Sequence, residues 1–225
     1  MNAPARTRTV APAWPLYLAA FAIAAVVAGA VGEAFSGGSL AELGIPDPGA
    51  ATTVGLPALR GVAWLLMALA TGSFLLSAFL IAPKQTQEDL NGARLTVDGH
   101  LASRTGAHAS AGIALIGLVM IPLVLSDVSG QPLNTVLFEA AAWSQALDQV
   151  ADARVWLIVA AFAAVVAAFG YAATSWWSQV WLFLGAIVVV MPIALTGHSA
   201  TGGAHDFGTN SLIWHLVAML LWVGG

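Results

Sequence analysis

Apolar residues fall in six runs parted by short polar stretches, at about 14–34, 59–82, 108–125, 153–174, 177–195 and 208–225. Most of these runs approach the ~20 residues a helix needs to cross a ~30 Å hydrocarbon layer. Backbone amides in lipid have no water to bond, so a spanning segment satisfies them internally as a helix or across a closed barrel. Runs of this length are too long for tilted strands. The pattern predicts an all-α polytopic membrane helix bundle of about six transmembrane helices, the last cut short at Gly225. That last run stops without a polar flank, and the expectation is that the transmembrane domain, 14–225, is incomplete at its C-terminus and forms the N-terminal portion of a longer membrane protein.

The polar intervals refine this outline. Residues 1–13 form a tail with Arg6 and Arg8, and the run that follows exceeds the 7–15 residues of a signal-peptide core, so it is read as a retained first helix. Residues 36–57 are rich in Gly and Pro and predict an irregular loop; Pro83 ends the second helix. The connection 84–107 predicts tight turns at Asn91-Gly92 and Asp98-Gly99, while 135–150 has helical spacing and predicts a surface-lying amphipathic helix. Only a short turn separates the fourth and fifth runs, so they must form an antiparallel hairpin, with Trp176, Trp177 and Trp181 at one membrane interface.

Composition and charge add direction. Mean hydropathy is +0.86, with 59% hydrophobic and 8% charged residues, more apolar surface than a soluble domain of 225 residues can hide. A cytoplasmic N-terminus places Arg6, Arg8, Lys84, Arg94 and Arg104 inside and leaves Arg60 and Arg154 at outer helix ends, satisfying the positive-inside rule. Glu42, Asp47, Asp127, Glu139, Asp148 and Asp206 then lie outside. The net charge of -4, with scattered basic residues, gives no footprint for nucleic acid. Absence of cysteine removes disulfides and thiolate ligands, leaving His, Met and carboxylates for any metal chemistry.

Three of the five histidines, His198, His205 and His215, occur in the last thirty residues. His198 and His205 belong to an extracytoplasmic loop, and His215 lies about two turns down the last helix, with Met219 four residues on along the same face. Imidazole with thioether suits copper, above all the reduced ion, and Asp206 is placed to orient a neighbouring ring. A lone loop histidine is more often a solvated residue than a ligand; a histidine inside an apolar helix is a functional candidate by default. Met67, Met120 and Met191 read as packing, and His100 and His108 as structural.

The run Thr196-Gly197-His198-Ser199-Ala200, followed by His215-Leu216-Val217-Ala218 and Leu221-Trp222-Val223-Gly224-Gly225, resembles the copper resistance D (CopD) family of bacterial inner-membrane proteins, with Ser199 replacing the more usual Ala. The resemblance implies a multi-pass protein of the cytoplasmic membrane that takes up copper or delivers it toward cytochrome c oxidase. Combined with the residue pattern it gives the expectation that a copper ion is captured by His198 and His205, with Asp206 orienting one ring, and passed down to His215 with Met219; in some members of the family this part is fused to a CtaG-like oxidase-assembly domain. Implied partners are the lipid bilayer, a periplasmic copper chaperone and oxidase subunits. Two other classes compete: a b-type haem or quinone redox protein, and a non-catalytic assembly subunit whose histidines only pack. No hydrolase or transferase motif appears, so the chain is read as no enzyme.

Overall fold

The structure, a computed structural model, describes residues 14–36, 44, 46–81, 93–138, 140–194 and 205–225. Regular structure among them is helical: α1 (Trp14–Ser36), α2 (Ala50–Thr53), α3 (Gly55–Leu75), α4 (Val97–Ser129), α5 (Leu133–Phe138), α6 (Ala140–Gln149), α7 (Ala151–Ala172), α8 (Trp176–Ala194) and α9 (His205–Gly224). Five stretches are long and apolar enough to cross a membrane, with α2 and α3 counted as one, and the apolar part of α9, Gly208–Gly224, is shorter. The chain is thus a multi-pass α-helical membrane bundle of about six spans, as its apolar runs predict.

Several boundaries differ from expectation, each for a local reason. The second helix starts earlier than 59, because Asp47 accepts a bond from Gly49 N–H at 2.8 Å and Gly49 takes a positive φ of 89°, turning the chain into α2. Pro57 falls in the first turn of α3, where no donor is needed. At its far end α3 widens into a π-helical turn, Leu76–Leu80, which frees the Ala78 carbonyl to accept the Trp176 indole N–H at 2.7 Å.

The third span was expected at 108–125 and instead runs Val97–Ser129. Asp98-Gly99, expected as a tight turn, lies in its first helical turn: the Thr96 hydroxyl caps the Gly99 N–H at 3.0 Å. The polar residues of 97–107 do not break the helix because Gly99, Ala102, Ser103, Gly106 and Ala107 form its buried stripe while Asp98 stays exposed. Gly130, at φ 65°, ends it. The surface helix expected at 135–150 is divided into α5 and α6.

Close approach of helices rests on small residues, as expected for packing without a hydrophobic drive between helices in lipid. α4 and α7 meet where a Cβ on Gly117 would come within 2.9 Å of the Ala160 methyl. The Phe74 ring, fully buried, fills the notch left by Gly106 of α4 and touches the space at Gly170 of α7. α1 lies at the periphery, seated on α3 through Gly29, Gly32 and Gly61. α7 and α8 form the expected hairpin through the turn at 173–175.

Candidate metal site

α9 carries most of the predicted ligands. His205 and Asp206 open it, and His215 follows ten residues later, so at 1.5 Å per residue the two histidine backbones stand about 15 Å apart along the axis. Ring nitrogens bind metals at about 2 Å, so this spacing defines two positions rather than one ion's ligand set. His215 is exposed, on the side away from the buried Leu216 and Leu220, whereas Met219, one turn on, is half-buried and packed against the core. His198, and the side chains of His205 and Asp206, lie outside the described residues. Among the described residues no group of three or more His, Asp or Glu is gathered as a metal site.

α9 is mounted on α3 by direct backbone contact. A Cβ built on Gly72 would collide with the Gly224 carbonyl oxygen, and one built on Gly224 with the Ala68 carbonyl oxygen. The closing Gly224-Gly225 pair therefore serves docking, which fixes the depth of His215 and Met219 relative to the bundle.

A charged cluster at the same end of the bundle as the start of α9 escaped the sequence reading. Arg60 of α3 donates from Nη2 to Asp152 Oδ2 of α7 at 2.6 Å, and Asp127, near the end of α4, lies within range of both charges. A cavity of about 490 Å³ opens beside the pair, lined by Arg60, Trp64, Asp152, Val155, Trp156 and Ile193. Each partner of the pair is about two-fifths exposed, 42% and 40%, so water screens it and it contributes at most ~1 kcal/mol. The sequence signal was Arg60, a charge inside an apolar run that needs a partner; its partner lies 92 residues away, beyond the reach of local pattern.

At the opposite end, His108 Nδ1 bonds the Arg104 carbonyl of its own helix at 2.6 Å, and its ring meets Tyr171 edge-on at 5.3 Å. Arg104 donates from Nε to His100 Nε2 at 3.4 Å and lies over the Tyr171 ring. Both histidines are thus engaged locally on α4.

Fold and site together define a polytopic helical membrane protein with imidazole, thioether and carboxylate groups on its last helix and an ion pair, Arg60 with Asp152, at the end of the bundle where that helix begins. Residues 50–206 match the copper resistance protein D-like, N-terminal domain model. The chain belongs to that copper resistance D-like family, which supports a general copper-handling function at the membrane. No curated protein and no solved structure matches it. The match takes in His198, His205 and Asp206 and ends before His215 and Met219.

Proposed function

We propose that the protein handles copper, as cargo, at the bacterial cytoplasmic membrane with its N-terminus inside, taking the ion up from the outer face or passing it toward cytochrome c oxidase assembly. The observation that carries this reading is the family match over residues 50–206, which takes in His198 and, at the head of α9, His205 and Asp206. In this reading His198 and His205 capture copper, Asp206 orients one ring, and His215 with Met219 forms the next station about 15 Å down the helix. His215 faces out of the bundle, so its coordination is completed from beyond it, by a fused CtaG-like domain or an oxidase subunit; a periplasmic chaperone supplies the ion. In this reading the role is non-catalytic, which the family membership supports.

Haem ligation is the less favoured reading. It needs two rings at one depth on facing helices, and His108 lies on α4 beside Tyr171 of α7, whereas α9 packs chiefly on α3 and α8.

The test is copper(I) binding to the full chain in nanodiscs, measured by competition with a chromophoric chelator. The combined variant His198→Ala, His205→Ala, His215→Ala is expected to lose tight binding. Unchanged stoichiometry and affinity in that variant overturn the ligand assignment, and a b-type pyridine haemochrome spectrum from the purified protein overturns the copper reading in favour of haem.

A further inference from the structure

An apolar groove of about 560 Å³ lies between α7 and α8 and closes at the turn joining them. Val165, Phe169, Leu182 and Gly185 line its length, and Ser175, Ser178 and Trp181 line the end nearest the turn. Nothing in the described chain fills it.

The turn itself is pinned by a short antiparallel pairing. Leu95 N–H bonds the Thr174 carbonyl at 3.1 Å and Trp176 N–H bonds the Ala93 carbonyl at 2.9 Å. These bonds flank the pair Arg94 and Ser175, making it the non-hydrogen-bonded kind, in which opposite side chains stand closest and project to the same side. Ser175 lines the groove, so Arg94 emerges at the groove's polar end. Arg94 is exposed and has no carboxylate partner among the described residues. Asp98, in the first turn of α4, is the described carboxylate at this end, and it makes no ion pair with Arg94. Trp177 and Trp181 are exposed beside the groove, as indoles are at the level of lipid headgroups.

We propose that this groove binds one acidic phospholipid of the adjoining leaflet, an acyl chain lying between α7 and α8 and the headgroup phosphate held by Arg94. The Ser175 hydroxyl donates to Ser178 Oγ at 3.2 Å and the Ser178 hydroxyl to the Ser175 carbonyl at 2.6 Å, so the charge contact is the guanidinium's. The lining is apolar along its length and hydroxyl-bearing at the turn, and Arg94 stands opposite Ser175 there, a distribution that an acidic lipid matches and a second transmembrane helix does not. Among the described residues no carboxylate pairs with the guanidinium. The site is independent of the proposed copper ligands His205, Asp206, His215 and Met219 of α9.

The test titrates the full chain, purified in mild detergent and delipidated, with dioleoylphosphatidylglycerol or dioleoylphosphatidylcholine, and counts retained lipid by native mass spectrometry. One phosphatidylglycerol is expected to be retained in preference to phosphatidylcholine. Arg94→Gln is expected to reduce that preference about fivefold. Gly185→Phe, which fills the groove, is expected to lower retention of both lipids, and Ser178→Leu serves the same purpose if that variant does not fold. Equal retention of the two lipids by the unaltered chain overturns the proposal. So does undiminished preference in Arg94→Gln, or a lipid-free dimer that Gly185→Phe dissociates.

Discussion

Gln179 is fully buried near the start of α8, and neither its amide nitrogen nor its amide oxygen finds a partner among the described residues. Thr71 on α3 and Ser103 on α4 have buried, unpartnered hydroxyls as well, whereas Thr52 and Ser126 satisfy each other at 2.7 Å. An amide buried without bonds costs roughly 1–3 kcal/mol, so Gln179→Leu, which keeps the volume and removes the polar atoms, is expected to leave the protein equally stable or about 1 kcal/mol more stable. Thermal unfolding in detergent reads this directly. A marked loss of stability would show instead that the amide is bonded by internal water. Nothing in the sequence marked Gln179, because one glutamine at the head of an apolar helix reads equally well as an interfacial residue.

At the scale of helices, spans were legible wherever an apolar run met a breaker, as with the hairpin of α7 and α8. Boundaries set by polar residues were not. Residues 97–107 look like a connection because Asp98, His100 and Arg104 dominate their composition, yet their small residues recur at helical spacing and bury against α3 and the π turn. Hydropathy weighs each residue alone, and burial depends on which face it falls on. The seat of α9 on α3 shows the same dependence. Gly72→Val places a side chain against the Gly224 carbonyl and is expected to dislodge α9, at a cost of about 1–3 kcal/mol, with faster proteolysis in the 195–204 connection. Gly112→Ala meets only the flexible Leu66 side chain, at 3.1 Å, and is expected to cost little. Equal sensitivity of the two variants would mean that α9 is not held through Gly72.

For the whole molecule, the proposed direction across the membrane rests on the basic residues, and Asp98 and Asp148 fall at opposite ends of the bundle in the chain path. Absence of native cysteine makes the assignment directly testable. Asp148→Cys is expected to react with a membrane-impermeant maleimide on intact spheroplasts, and Asp98→Cys only after permeabilisation; the reverse pattern would invert the topology and move His205 to the cytoplasmic side.

Class and approximate span number were readable along the chain because lipid allows so few backbone solutions that apolar run length nearly dictates them. The copper resistance resemblance was read in the last thirty residues, and the family match proved to lie mostly upstream, over 50–206, in helices whose apolar sequences carry little local signature. Which groups meet was decided only by the fold. The ion pair of Arg60 and Asp152, the exposed setting of His215 and the approach of Arg94 to Ser175 depend on helix rotation and long-range pairing. Those are set by interlocking small residues such as Gly72, Gly106 and Gly117, whose effect appears only when the facing helix is in place.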